Sequence, residues 1–232
     1  MMHFKDVQGF DISDKSAAVI GCGGLGSNIS AHLVGSGVGW LHIFDFDTVS
    51  ETNLNRQFLY SLPDIGEEKV FCAKKRLEKY NGQTKVIAHN IKIKSLSDLK
   101  EVKNCDIIFL AADNNETRKT VTDFCSLHRI PLVNGGINGF FGTAYLYVPG
   151  KTPCPECAGI LGENDGNIIS VSSTAGIIGS LEADIGLRYI LNPEEAGGVL
   201  YVFDRSEITK LKIKSNTDCK ICGQKYEVKT NG

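Results

Sequence analysis

The sequence lacks the features that mark membrane, secreted or nucleic-acid-binding proteins. No segment approaches the ~18 consecutive apolar residues that span a bilayer, and the amino terminus, MMHFKDVQGFDISDK, has no apolar core of a secretory signal. The 25 basic and 27 acidic residues are spread along the chain without a run of like charge. We therefore expect a cytoplasmic protein with neither a nucleic-acid nor a membrane partner.

Disulfides are also unexpected, although the chain has eight cysteines, because the cytoplasm keeps thiols reduced. Four of the cysteines form two CxxC pairs next to turn-forming Pro or Gly: Cys154 with Cys157, and Cys219 with Cys222. Two such pairs predict a closed tetrahedral zinc site that holds the carboxyl-terminal tail against the body. An iron–sulfur cluster or a redox pair is the alternative, which absorbance distinguishes. The other four are expected to be small core residues: Cys22, Cys72, Cys105 and Cys125.

Short apolar runs alternate with helical patterns over the first ~135 residues, as in a parallel sheet wrapped by helices. The runs predict strands at 17–21, 41–44, 85–88, 106–111 and 131–134. Helices are predicted over 25–35, 67–81 and 116–128.

The pattern changes after residue 135, where glycines and aromatic residues alternate in GGINGFFGTAYLYV. A helix is predicted over 175–191, and residues 199–203 and 208–213 read as a hairpin, so this end of the sheet should be antiparallel. We predict a single domain, 1–232, of the α/β class. Its fold is a Rossmann-like, doubly wound and mostly parallel sheet with antiparallel carboxyl-terminal strands and a four-cysteine zinc site.

The turn GCGGLG after the first strand has the spacing of a dinucleotide fingerprint at Gly21, Gly23 and Gly26, with Gly24 inside it. Asp45 lies 19 residues beyond Gly26, close to the ~20 expected for an acid that binds ribose hydroxyls. An ordinary glycine-rich turn is the alternative. The fingerprint alone does not separate NAD, FAD and ATP.

The loop after Asp45 carries Asn53, Asn55, Arg56 and Gln57, and Lys69 follows 13 residues after Arg56. Cations at the carboxyl edge of the sheet suit a polyphosphate, whose leaving group gains charge in the transition state. Asp113, at the end of another strand in LAADNNETR, has the chemistry to hold magnesium. These residues favour an ATP site over a hydride-transfer site.

Each residue also has a purely structural interpretation. Arg56 and Lys69 taken singly are more often solvated surface charges. Asp113 is a candidate cap for the helix that begins near Glu116, and Asp47 for a loop or helix start.

Taken together, these motifs resemble the ThiF/MoeB/HesA family, whose members are relatives of ubiquitin-activating enzymes that adenylate the terminal glycine of a small ubiquitin-like sulfur carrier. The resemblance runs from about residue 17 to residue 223. It is carried by GCGGLG, DFDTVSETNLNRQFL, the GEEKV around Lys69, AADN at 111–114, and the PCPEC and DCKIC pairs.

The resemblance implies that Asp45 holds ribose, that Asn53, Arg56 and Lys69 contact the phosphates, and that Asp113 binds magnesium. Arg56, Lys69 and Asp113 are then the catalytic residues, with Gln57 a structural partner. The cofactors are ATP, Mg²⁺ and Zn²⁺. Residues 1–135 form the nucleotide-binding half, and residues 136–232 the carrier-binding and zinc half. A homodimer is the implied assembly, and a sulfur-donor protein is a further candidate partner.

Such a reaction needs no general base, since a carrier carboxylate is already an ionised nucleophile that requires only alignment and charge stabilisation. The products are a carrier acyl-adenylate and pyrophosphate.

Two features depart from the family pattern. The amino terminus has no Arg-rich segment, through which many members reach a partner subunit's ATP. The crossover loop, GENDGNIISVSSTAG at 162–176, offers Ser170, Ser172 and Ser173 but no Cys. We therefore expect no covalent Cys step, with the acyl-adenylate passed to an outside sulfur source or amine. The loop's small residues would suit a thin Gly-Gly tail.

Three other functions stay open on the sequence. They are activation of a small-molecule or peptide carboxylate, an NAD(P)-dependent oxidoreductase, and a non-catalytic scaffold of the same family. The pathway is also open among thiamine, molybdopterin, cysteine and a peptide product.

Overall fold

A computed structural model of the chain describes residues 9–161, 169–195 and 197–223. The first eight residues and residues 162–168 lie outside the described residues. They include part of the amino terminus and part of the crossover loop, the two places where the sequence departs from the family pattern. None of the helices in the described ranges is both long and apolar enough to cross a membrane.

In the described chain, eight strands form one sheet in the order β3-β2-β1-β4-β5-β6-β7-β8. The first five run parallel: β1 (Ser16–Ile20), β2 (Trp40–Asp45), β3 (Lys85–Asn90), β4 (Ile107–Leu110) and β5 (Leu132–Asn138). The last three pair antiparallel: β6 (Phe141–Tyr147), β7 (Val199–Asp204) and β8 (Glu207–Lys212). This confirms the predicted α/β fold with a mostly parallel sheet and antiparallel carboxyl-terminal strands.

Helices cover both faces of the sheet. They are α1 (Gly24–Gly35), α2 (Lys69–Tyr80), α3 (Asn115–His128) and α4 (Ser172–Leu191). Successive residues of β1 enter different core clusters: Val19 packs with α1, α2 and α4, while Ala18 packs with α3. The continuous apolar runs of the strands are thus explained by burial on both faces. Short 3₁₀ helices lie at Glu51–Asn53, Leu62–Asp64, Leu96–Val102 and Pro193–Glu195, which the sequence patterns did not predict.

Strand β5 is longer than expected, since it was predicted to end at residue 134, and it forms a hairpin with β6. Gly135 and Gly142 lie in these paired strands, and α4 packs directly against their backbone. A Cβ atom at Gly135 would lie 2.4 Å from Glu182 Cδ, and one at Gly142 would lie 2.4 Å from Ile178 Cγ1. Glycine is required at both positions because the helix occupies the space that a side chain would fill.

The strand order reverses between β1 and β4, because β2 and β3 lie on one side of β1 and β4 and β5 lie on the other. Helices α1 and α3 begin just beyond the carboxyl ends of these two strands. A crevice at such a switch point is where open α/β sheets bind ligands.

Candidate functional site

A cavity of about 770 Å³ lies at this edge of the sheet, within the ~300–1,000 Å³ usual for ligand pockets. Its lining contains all but one of the residues predicted to bind nucleotide. They are Gly21, Gly23, Gly24, Asp45, Asn53, Arg56, Lys69 and Asp113. Gly26, the remaining one, does not line the cavity. The structure therefore brings together residues that are up to 92 positions apart in the sequence.

Two fingerprint glycines are required by the fold itself. Gly21 has φ +99°, and a Cβ there would lie 2.7 Å from the carbonyl oxygen of Ala111. A Cβ on Gly26 would lie 1.8 Å from the carbonyl oxygen of Gly21. Gly23 differs, because among the described residues a Cβ there would meet only Gln57 Nε2, at an ordinary 3.7 Å. The protein leaves room for a side chain at Gly23. Glycine would be needed there only if a ligand came close to its backbone.

Helix α1 starts at this turn, and no side chain of the described residues caps its first turn. The first N–H groups of an α-helix lack partners within the helix, and the helix dipole places partial positive charge there. This end of α1 therefore has the properties of a phosphate-binding site.

The two glycines should respond differently to alanine. Gly23→Ala is expected to keep its melting temperature but to weaken ATP binding about tenfold or more, ~1.4 kcal/mol, because its methyl group enters the ligand's space. Gly26→Ala is expected to cost more than ~1–3 kcal/mol of stability, because its methyl group overlaps the Gly21 carbonyl. Thermal melting and calorimetric ATP titration measure the two effects. Equal loss of stability in both variants would contradict the assignment of Gly23 to the ligand.

Asp45 ends β2 with its carboxylate held by two backbone donors. Oδ2 accepts from the Cys22 N–H at 2.7 Å, and Oδ1 accepts from the Asp47 N–H at 2.9 Å. Burial raises the pKa of Asp45, while the charge of Lys69 and the two hydrogen bonds oppose this rise. The carboxylate is thus fixed at the cavity wall, where a ribose hydroxyl would meet it.

Lys69 is 5% exposed and binds Asp47, with Nζ 3.0 Å from Oδ2. Lys69 is therefore not the solvated surface charge of the structural interpretation. The Asp47 carboxylate binds Lys69 and does not cap α2, whose N-cap residue is Glu68. The ion pair holds the ammonium group at the cavity lining.

Arg56 lies over the start of α1, because a Cβ on Gly24 would meet its Cγ and Cδ at 3.5 Å. Its Nη1 donates to the Thr52 carbonyl oxygen at 3.1 Å and to Asn55 Oδ1 at 2.8 Å. No carboxylate pairs with Arg56 in the ranges that the structure describes. Its positive charge is therefore not paired with a carboxylate of the described chain, and it lies beside the amino terminus of α1.

Asn53 and Gln57 complete this loop. Asn53 Oδ1 accepts from the Ser50 N–H at 3.2 Å, which closes a capping box on the short helix Glu51–Asn53. Gln57 is buried and also lines the cavity, and its Oε1 has no hydrogen-bond partner among the described residues. Gln57, expected to be a structural partner, thus also has a free acceptor at the site.

Asp113 follows β4 and is exposed at the cavity. It is not the cap of α3, because Asn114 takes that place and accepts from the Thr117 N–H at 2.8 Å. Asp113 therefore remains available for a cation.

The four paired cysteines converge as expected. Their Sγ atoms all lie within 4.8 Å of one another, with Cys154 to Cys219 and Cys157 to Cys222 both at 3.5 Å. Zinc–sulfur bonds of ~2.3 Å in a tetrahedron place sulfurs about 3.8 Å apart, so the spacing fits one ion. A disulfide would need ~2.05 Å, and all eight cysteines are free thiols. Cys22, Cys105 and Cys125 are buried as predicted, and Cys72 is half-buried.

Two charged residues near the site were not singled out from the sequence, namely Arg118 and Glu182. Arg118 stands in the LAADNNETR motif, but its partners come from distant segments. Glu182 lies in a helix whose small residues gave no functional signal, yet it is fully buried.

Comparison with known proteins gives a consistent result. The model of the ThiF family matches residues 2–221. The chain is 33% identical to the sulfur carrier protein adenylyltransferase of Thermus thermophilus, over 90% of this chain and 82% of that protein. It is 30% identical to the molybdopterin-synthase adenylyltransferase of Escherichia coli, over 94% of this chain and 93% of that protein.

Other relatives are longer. The chain is 32% identical to the adenylyltransferase and sulfurtransferase MOCS3 of Aedes aegypti over 93% of its own length, but it spans only 52% of that protein. Among solved structures, Escherichia coli MccB with ATP has a TM-score of 0.82 at 26% identity, covering 91% of this chain and 67% of MccB. MccB has also been solved with AMPCPP and MccA, with the same TM-score.

Proposed function

The chain belongs to the ThiF family, and from that premise we propose that it uses ATP to adenylylate the carboxyl-terminal glycine of a small ubiquitin-like sulfur carrier. The observation that carries the proposal is the grouping of the α1 amino terminus, Arg56, Lys69 and Asp113 around one cavity. The relatives named as adenylyltransferases and the likeness to MccB solved with ATP support it.

In the proposed reaction, a carboxylate oxygen of the carrier attacks the α-phosphorus of ATP. The bond from this phosphorus to the bridging oxygen breaks, and the electron pair leaves with pyrophosphate. Asp45 holds the ribose, while Asn53, Arg56 and the α1 amino terminus hold the phosphates. Lys69, kept in place by Asp47, stabilises the charge that grows on the leaving group.

Asp113 is the proposed ligand for magnesium, which when bound would neutralise phosphate charge. The donor type fits, because Asp113 offers an exposed carboxylate and is not the N-cap of α3. Zinc in the four-cysteine cluster is assigned a structural role, because four thiolates leave no open position for catalysis. A reducing cytoplasm would keep these thiols free to bind it.

The second half of the cavity is proposed to bind the carrier tail. It is lined by β5 from Gly135 to Asn138, by Ala158–Ile160, by Ser170 and by residues of β6 and β7. This part of the lining, as far as the structure describes it, carries no charged side chain. It therefore suits a thin, uncharged peptide ahead of the reacting carboxylate. We accordingly divide the domain into a nucleotide half, about 1–135, and a carrier and zinc half, about 136–232.

We propose that the acyl-adenylate leaves without a thioester to the enzyme. The described part of the crossover loop offers serines and no cysteine. Ser170 lines the cavity, and Ser172 and Ser173 begin α4. The nucleophile would then be an outside sulfur-donor protein or an amine. Assembly as a homodimer is part of the same proposal.

Activation of a peptide carboxylate is the second candidate. The observation that favours it is the likeness to MccB, which has been solved with MccA and with MccA-N7isoASN.

ATP–pyrophosphate exchange tests the proposal. We expect exchange with carriers ending in Gly-Gly, and none after their terminal carboxylate is amidated or the last glycine is removed. Exchange with free peptides but not with carriers would favour the second candidate. Tight nicotinamide binding without ATP binding would indicate an oxidoreductase instead, and a folded, zinc-loaded protein that binds ATP without exchange would indicate a scaffold.

A further inference from the structure

The guanidinium of Arg118 joins three separate parts of the chain at the cavity. Nη1 donates to the carbonyl oxygens of Ala112 at 3.0 Å and Gly135 at 3.1 Å. Nη2 donates to Asn134 Oδ1 at 2.7 Å and to the carbonyl oxygen of Ile160 at 3.2 Å. The two η nitrogens carry four N–H groups, so these bonds supply an acceptor for each of them.

Arg118 therefore differs from Arg56, although both line the cavity. Arg56 presents charge without a paired carboxylate in the described chain. The η N–H groups of Arg118 instead donate to acceptor oxygens of the protein itself. Its effect on a ligand is consequently exerted through the groups that it holds.

One of the groups that Arg118 binds is adjacent to Asp113 in the chain. The carbonyl of Ala112 belongs to the peptide unit that joins Ala112 to Asp113, and a peptide unit is planar. A hydrogen bond to this oxygen therefore fixes the direction in which the Asp113 backbone leaves β4. Arg118 thus holds the backbone from which the Asp113 side chain extends.

Another group belongs to the segment that carries half of the four-cysteine cluster. Ile160 comes three residues after Cys157. The Ala158 N–H donates to the Cys154 carbonyl oxygen at 3.1 Å, and the Ile160 N–H donates to the Pro155 carbonyl oxygen at 3.1 Å. The Ile160 carbonyl that Arg118 binds is thus positioned by the turns around the first CxxC pair.

A buried carboxyl group lies on the other face of the sheet from Arg118. Glu182 of α4 lies directly behind Gly135, where no side chain separates it from the strand. Neither of its carboxylate oxygens has a hydrogen-bond partner within the described ranges. Burial raises the pKa of Glu182 well above its usual range, and the charge of Arg118 opposes this rise. Burial also lowers the pKa of Arg118, and the charges of Glu182 and Asp113 oppose that lowering.

We propose that Arg118 is a positioning residue that couples the four-cysteine cluster to Asp113, so that zinc in the cluster and magnesium–ATP in the cavity strengthen each other's binding. The inference rests on the proposed function, because it assigns Asp113 to the cation that accompanies ATP. Such coupling is reciprocal, so it can be read from either ligand.

Zinc affinity, measured by competition with a chromogenic chelator, tests the coupling without turnover. In the intact protein, without a carrier, magnesium–ATP is expected to raise zinc affinity about tenfold. Arg118→Lys keeps the charge but loses the planar fork, and it should abolish this increase. Lys119→Gln, at the next and exposed position, should retain it.

Calorimetric titration of magnesium–ATP into the same samples separates the outcomes. If the unmodified protein binds magnesium–ATP but its zinc affinity does not change, the coupling is wrong while the proposed function stands. If it does not bind magnesium–ATP, the proposed function itself fails. An undiminished increase in Arg118→Lys would also overturn the coupling. Should that variant fail to fold, Asp113→Asn decides at magnesium–ATP concentrations that saturate it by calorimetry: it keeps Arg118 and should bind zinc normally without the increase, and an undiminished increase would overturn the coupling.

Discussion

Arg56→Ala is expected to lower the rate of ATP–pyrophosphate exchange by about 10²–10³-fold, as the loss of one preorganised charge-stabilising group does elsewhere. The Arg56 side chain lies against Gly24 at the start of α1 and carries a charge that no carboxylate pairs with in the described chain. Removing it takes positive charge from the place where the phosphates would lie. Exchange rates with a saturating carrier measure the loss.

The fold should be unaffected, because the two hydrogen bonds of Nη1 stay within the same exposed loop. Lys75→Ala is the matched control, since it removes an exposed cation from α2 that forms no salt bridge in the described chain. Arg56→Lys should retain part of the activity through its charge. Wild-type exchange in a folded Arg56→Ala protein would remove Arg56 from the catalytic residues.

Asp113→Asn should reduce exchange by about 100-fold and raise the magnesium concentration for half-maximal exchange at least about tenfold. The amide keeps an acceptor oxygen but loses the charge that attracts the cation. Asn114, and not Asp113, caps α3, so the helix should keep its stability. Exchange measured over a magnesium titration separates weaker cation binding from a general loss of activity.

Glu116→Gln is the control for this variant, because it removes an exposed carboxylate from the first turn of the same helix. It should leave the magnesium dependence unchanged. An equal shift in both variants would mean that the charge of the region, and not Asp113 itself, sets the response to magnesium.

The parts of the site that depend on local spacing were predictable from the sequence. The glycine turn, Asp45 and the two CxxC pairs follow fixed spacings because turn geometry and metal coordination demand them. The sheet likewise followed from apolar runs, because parallel strands are buried on both faces. The structure places all of these where the spacing indicated.

Contacts between distant segments were not predictable. The pairing of Lys69 with Asp47 depends on how the loop after β2 returns to α2, and no spacing rule encodes it. Gly135 and Gly142 are required because α4 packs against their backbone, which the sequence pattern did not indicate. Arg118 shows the same limit, because its four acceptors lie just after β4, on β5 and at the turns near the first cysteine pair.

Transfer of label from ATP to the carrier is the most direct test of the central claim. With ATP labelled at the α-phosphate, label should appear on the carrier only while its terminal carboxylate is free, and a label at the γ-phosphate should leave as pyrophosphate. Asp113→Asn should transfer little α-label to the carrier and release little labelled pyrophosphate. Release of ADP, or an unlabelled carrier in the presence of bound magnesium–ATP, would contradict adenylylation of a carrier terminus.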